Sequence, residues 1–148
     1  MRITVIGLGY VGLVTSACLA DLGHRITGVD TSEHRLDSLR AGKVPFHEPG
    51  LTPMVEAAIR DGRIVFSADS SSAVHEADIV IIAVGTHDGN GGWQTGTILR
   101  ALGDVVPAMA DDAVLMIRST MPPGFVHQVG VIAHELRARH GRPAIAAM

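Results

Sequence analysis

The sequence predicts an α/β fold: a doubly wound parallel sheet with helices on both faces, in three layers. Short β-branched runs alternate with stretches of helical apolar spacing along all 148 residues, the pattern of repeated strand–helix–strand units. The run Ile79-Val-Ile-Ile-Ala-Val84 is apolar without a break, as a strand buried on both faces is. Hydrophobic residues make up 47% of the chain and aromatics only 3%, so the core must be built of Val, Ile, Leu and Ala.

Each element has its own signal. Arg2–Ile6 is a strand ending at Gly7, and apolar residues recur with helical spacing from Val11 to Leu22 until Gly23 stops them. Arg25–Asp30 is a second strand; Thr31 and Ser32 offer cap hydroxyls to a helix over Glu33–Ala41, closed by Gly42. Lys43–Gly50, with two prolines, is a loop, and Thr52 as cap with Pro53 at the first helical position opens a helix to Asp61. Ile64–Ser67 reads as a strand, Ser70–Glu76 as a short helix, and Asp78–Val84 as a central strand. Gly85–Gly96 carries five glycines and predicts no ordered element; Ile98, Leu99, Leu102, Val105 and Val106 then mark a helical face that Pro107 ends or bends. Ala113–Arg118 is a buried strand, Phe125–His140 a helix, and Pro143–Met148 a strand cut short.

Composition removes several function classes. The single cysteine excludes a disulfide scaffold, and a mean hydropathy of +0.29 excludes disorder. Fifteen acidic residues against 12 basic ones, with the basic residues scattered singly, give no footprint for nucleic acid. No apolar run is long enough to span a membrane and the N-terminus does not read as a signal peptide, so the expected location is cytoplasmic.

In such sheets ligands bind beyond the carboxyl ends of the strands. Gly7-Leu-Gly9-Tyr-Val-Gly12 lies there, between a strand and a helix, the context in which the motif denotes a Rossmann-type dinucleotide site. Gly7 permits the tight turn, Gly9 lets a pyrophosphate approach the backbone, Gly12 allows the helix to pack on the strand, and the helix N-terminus attracts the phosphate charge. Asp30 ends the second strand, where a carboxylate accepts ribose hydroxyls and repels a 2′-phosphate, favouring NAD over NADP. Arg35 has two readings, a contact to adenine or ribose and a solvated helix residue.

Further motifs follow in order: Gly42-Lys-Val-Pro-Phe-His-Glu-Pro-Gly-Leu51, Val84-Gly-Thr86 and Arg118-Ser-Thr-Met-Pro-Pro-Gly124. With the glycine motif they resemble the N-terminal NAD-binding domain of the UDP-glucose/GDP-mannose dehydrogenase family, over the whole chain. The resemblance implies oxidation of the sugar C6 alcohol of a nucleotide sugar to the uronic acid with two NAD, in an enzyme that is a homodimer at full length. It places Tyr10 and Val11 at the pyrophosphate, Asp30 and Arg35 at the adenosine ribose, and Gly85, Thr86 and Thr120 at the nicotinamide half. Thr120 is also implied as the holder of a water near the reacting carbon, and Glu48-Pro-Gly as a turn signature with no catalytic part. Two alternatives remain, a domain of another NAD-dependent hydroxy acid dehydrogenase and a non-catalytic NAD-binding module.

Departures from the family pattern are also visible. His87 stands where a proline usually follows Val-Gly-Thr, which predicts that His87–Gly96 moves until a ligand or partner orders it. Met121 and Phe125 replace the commoner valine and threonine. The family's reactive thiol, with its Lys and Asp, and the sugar-nucleotide pocket lie in central and C-terminal domains beyond Met148, so no catalytic residue is expected in this chain and a truncation or isolated domain is expected. Cys18, mid-helix among Ala17, Leu19 and Ala20, is expected to be a small core residue. The eight histidines show no ligand spacing and no metal site is predicted. Trp93 is expected either to cover a ligand or to dock on another domain.

Overall fold

The computed structural model describes residues 1–87, 89 and 92–147. In chain order the elements are β1 (Arg2–Ile6), α1 (Tyr10–Asp21), β2 (Arg25–Val29), α2 (Glu33–Arg40), α3 (Leu51–Arg60), β3 (Ile64–Ser67), α4 (Ser70–Val74), β4 (Ile79–Ile82), α5 (Gly96–Val105), β5 (Val114–Ile117), α6 (Phe125–Arg139) and β6 (Ala146–Ala147). Strand order is β3-β2-β1-β4-β5-β6 and every pairing is parallel. β1 is central: Ile3–Ile6 pairs with Ile26–Val29 on one side and with Ile79–Ile82 on the other. The chain winds outward from β1 in both directions, and a crevice forms where the winding reverses, at the carboxyl ends of β1 and β4.

Alternation of side chains across the strands fills two layers. Ile3, Val5, Ile26, Ile64 and Ile81 pack toward Ala20 of α1 and Ala58 of α3, while Leu8, Leu13, Leu36, Leu39, Leu51 and Val55 join α1, α2 and α3 beside them. On the opposite face Ile6, Val29, Val80, Ile82 and Leu115 pack with α4, α5 and α6 through Val74, Ile98, Leu102, Val105 and Val129. The three-layer expectation holds, with aliphatic side chains building both interfaces.

Four sequence expectations need correction. Cys18 is exposed: the buried stripe of α1 is Gly12, Leu13, Ser16, Ala17 and Ala20, and Cys18, one residue past Ala17, turns away from it. Helix α3 starts at Leu51, because Gly50, at φ 82°, turns the chain into the helix and so places Pro53 third rather than first. Leu99 is 39% exposed, since the buried face of α5 is Ile98, Ala101, Leu102 and Val105. The glycine-rich stretch is tied at its base, where His87 and Trp93 form an antiparallel bridge and Gln94 donates its N–H to the Thr86 carbonyl at 2.7 Å. Asp88, Asn90 and Gly91, on which part of the mobility expectation falls, lie outside the described residues. So does Met148, with which the predicted last strand ends; its described part is the pair Ala146–Ala147.

Arg137 on α6 is fully buried, and nothing in the sequence pattern marks it. Its guanidinium donates to the carbonyls of Pro143 at 2.9 Å, Met109 at 2.7 Å and Val106 at 3.3 Å, and pairs with Asp111. Asp111 also accepts from Arg142, at 3.0 and 2.7 Å. Hydrogen bonds from Arg142 first, and from Arg137 after it, hold the Asp111 carboxyl below its ordinary 3.8. A depressed carboxylate stabilises the fold above its unfolded value and ceases to do so as pH falls through the folded one. Asp111→Asn is therefore expected to lose less stability than the unaltered chain when urea unfolding is compared between neutral pH and about pH 3. Equal losses would show that the pairing leaves acid stability unaffected.

Candidate functional site

A cleft of about 390 Å³ opens at the carboxyl ends of β1 and β4. Its floor is the turn after β1. Gly7 takes φ 94°, and a side chain there would meet the Ala83 carbonyl oxygen at 2.8 Å; a Cβ on Gly12 would overlap the Gly7 carbonyl oxygen. These two glycines are required by the fold itself, because β1, α1 and β4 come too close for side chains. Gly9 is different. Its φ of −68° and ψ of −167° suit any residue, and a Cβ there meets nothing within 4 Å. Gly9 keeps the cleft wall free of a side chain at the N-terminus of α1, whose first N–H groups have no helical partners and no side-chain cap. No acidic residue stands in that first turn. Tyr10 and Val11 stand beside it, 53% and 42% exposed.

The side wall is Asp30, buried at the end of β2. Its Oδ2 accepts from the Leu8 N–H at 2.8 Å and from Arg35 Nη1 at 2.6 Å, and its Oδ1 accepts from the Ser32 N–H at 2.9 Å. Asp30 thus ties the glycine turn to β2 as well as facing the cleft. A carboxylate has about four acceptor positions, so a ligand hydroxyl can use the one left on Oδ1, and a second hydroxyl can reach Oδ2 only by displacing Arg35. Arg35, read in the sequence as a contact to adenine or ribose or as a solvated helix residue, is an ion partner of Asp30 in the cleft wall.

Thr86 and Thr120, 34 residues apart in sequence, meet at the ends of β4 and β5 with their hydroxyl oxygens 3.1 Å apart. Thr86 is buried and Thr120 exposed. Of the residues singled out in the sequence, Gly7, Gly9, Asp30, Arg35 and Gly85 line the cleft itself; the threonine pair stands just past Gly85. The opposite wall comes from α5, through Thr97, Arg100 and Asp104. Sequence reading assigned these no role; their signal is an i, i+4 charged pair on the flank of the apolar stripe.

Tyr10 also explains Glu48. The phenol donates to Glu48 Oε2 at 2.6 Å and its ring lies 5.0 Å from that of Phe46, so the Lys43–Gly50 loop folds back against the start of α1. The Glu48 carboxylate holds the phenol above its ordinary 10.0, chiefly by accepting its proton in that hydrogen bond. Among the described residues no group of three or more His, Cys, Asp or Glu is placed to hold a metal ion, and no helix is long and apolar enough to cross a membrane.

Comparison with known proteins gives a consistent answer. The model for the NAD binding domain of the UDP-glucose/GDP-mannose dehydrogenase family matches residues 1–145. The UDP-glucose 6-dehydrogenase of Rhizobium meliloti is 37% identical over 137 residues, covering 91% of this chain and 31% of the relative. The GDP-mannose 6-dehydrogenase of Pseudomonas aeruginosa is 37% identical over 133 residues, covering 87% and 30%. Among solved structures, a ternary complex of GDP-mannose dehydrogenase from Pseudomonas aeruginosa superposes with a TM-score of 0.89 at 32% identity, covering 99% of this chain and 35% of that one. The chain thus spans about a third of the length of the relatives it matches. A 3-hydroxyisobutyrate dehydrogenase from Mycobacterium tuberculosis, at 21% identity and a TM-score of 0.62, shares the fold alone.

Proposed function

Because the chain belongs to the UDP-glucose/GDP-mannose dehydrogenase family, as its NAD-binding domain, we propose that it is the cofactor-holding part of a nucleotide-sugar 6-dehydrogenase. The whole enzyme oxidises the C6 alcohol of UDP-glucose or GDP-mannose to the uronic acid with two NAD, in the cytoplasm and as a homodimer. The names of the relatives support the reaction and its two substrate classes. The observation that carries the reading is the cleft wall at Gly9, free of a side chain beside the uncapped N-terminus of α1, which the fold does not require and a pyrophosphate does.

NAD supplies a hydride acceptor when bound. The residues of this chain bind and orient it. The turn Gly7–Gly12, with the α1 N-terminus and the flanking Tyr10 and Val11, holds the pyrophosphate. Asp30 takes the adenosine ribose hydroxyls once Arg35 moves aside. Gly85, Thr86 and Thr120 face the nicotinamide half, and Thr120, whose hydroxyl both donates and accepts, holds a water near the reacting carbon. The reactive thiol and the sugar-nucleotide pocket belong to other domains of the enzyme, so these 148 residues bind NAD and oxidise nothing by themselves.

Calorimetric titration of the chain with NADH and NADPH tests this reading. Binding of NADH with a dissociation constant tighter than about 1 mM, and weaker binding of NADPH, is expected; no binding, or the reverse preference, would overturn it. Arg35 offsets the charge of Asp30 and can itself meet a 2′-phosphate. Arg35→Ala is accordingly expected to widen the preference for NADH over NADPH by several-fold, up to about tenfold.

A further inference from the structure

We propose that His87 is a positioning residue which sets the direction of the Thr86–Thr120 hydroxyl pair, and so decides whether Thr120 offers the cofactor cleft a lone pair or a proton. The inference rests on the reading above that this pair serves the nicotinamide half.

The imidazole is held on two sides. Its Nδ1 lies 3.4 Å from Thr86 Oγ1, and its ring lies 4.6 Å from that of Trp93, to which the His87 backbone is bridged. Thr86 is 3% exposed, and its carbonyl is occupied by the Gln94 N–H. The Thr97 hydroxyl, which donates to the carbonyls of Gly85 and Gln94, closes the base of the turn. Three polar groups therefore stand in a row, His87 Nδ1, Thr86 Oγ1 and Thr120 Oγ1, with Thr86 buried between the exposed His87 and Thr120. The described partners of His87 are uncharged; Asp88, its neighbour in the chain, lies outside the described residues.

A hydroxyl carries one proton and two lone pairs, so the row has two directions. With a bare Nδ1, Thr86 donates to His87 and accepts from Thr120, whose proton then points inward and leaves only lone pairs on its exposed side. With a proton on Nδ1, His87 donates to Thr86, Thr86 donates to Thr120, and the Thr120 proton turns outward. Only the second arrangement meets a carbonyl or carboxamide oxygen; an alcohol, which donates and accepts, can meet either.

Trp93 is the sole tryptophan of the chain, and its contact with His87 makes its emission a reporter of the imidazole. The test follows that emission against pH. The unaltered chain is expected to show one transition, which His87→Phe abolishes. Without any cofactor, Thr86→Val is expected to lower the midpoint by roughly half a pH unit, because the charged imidazole loses the hydroxyl that accepts from its Nδ1. Thr86→Ser restores it, and Thr120→Val, which reaches His87 only through Thr86, gives a smaller shift. Saturating NADH moves the midpoint of the unaltered chain and not that of Thr86→Val. Identical midpoints in the unaltered chain and the folded threonine variants would overturn the proposal. Failure of NADH to bind, with the Thr86→Val shift intact, would instead overturn the cofactor reading and with it the role at the cleft, while leaving the hydroxyl row established.

Discussion

Replacing Arg137 with methionine is expected to lower the free energy of unfolding by roughly 3 kcal/mol, read as a lower urea midpoint at unchanged slope. Methionine fills the space of the arginine stem, so the loss isolates the guanidinium. That group satisfies carbonyls from the end of α5, from the turn after it and from the segment leading to β6, and it sits against Asp111. Removing it leaves the buried carbonyls of Val106 and Met109 without this donor, and each costs on the order of 1 kcal/mol or more. Arg137→Lys is expected to recover only part of the loss, because an ammonium is a compact charge without the planar fork that reaches acceptors on several sides. A loss below about 1 kcal/mol for the methionine variant, close to what surface substitutions give, would show that solvent reaches these carbonyls instead.

Gly9→Thr is expected to separate binding from stability. Its backbone angles accept a β-branched residue, and threonine is about as good a helix N-cap as glycine. The unfolding midpoint should stay level or rise, since a hydroxyl there can cap a helix that now has no side-chain cap. The same hydroxyl and methyl cover that part of the cleft wall and take up the amides that a pyrophosphate would use, so NADH affinity should fall by about 100-fold. Undiminished affinity would remove the pyrophosphate from this turn. Gly12→Thr is the contrasting variant: its side chain would overlap the Gly7 carbonyl, and it should fail to fold rather than merely fail to bind.

What could be read from the sequence follows a physical division. Strands such as Ile79–Ile82 and helices such as Glu33–Arg40 announce themselves because the periodicity and caps that create them are local. The glycine turn and Asp30 were legible for the same reason, since short spacing between a strand end and a helix start places them together. Features that depend on contacts between distant segments were not. Nothing near Arg137 forecasts that carbonyls some 28 and 31 residues earlier would surround it. Glu48 reads as part of a turn until the Tyr10 phenol is found on it. Cys18 shows the limit even of local reading: small apolar neighbours suggest burial, yet the angle of a single residue on the helix decides the outcome. Asp30 lies on the cleft wall at a strand end, but its duty of holding the Leu8 amide appears only once β1 and β2 lie side by side.

The placement of β1 between β2 and β4 also governs the order in which the molecule can assemble. Synthesis delivers β1 first and β2 soon after, but the strand that covers the other edge of β1 is not complete until Ile82. Throughout that interval a strand carrying Ile3 and Val5 presents a row of unpaired backbone groups, the kind of edge on which chains associate. Parallel partners separated by more than 70 residues also form slowly, because the intervening chain must be ordered before the pairing is rewarded. A nascent chain interrupted just before β4 would therefore be left with a bare apolar edge, and extension by a few residues through Ile79–Ile82 closes it.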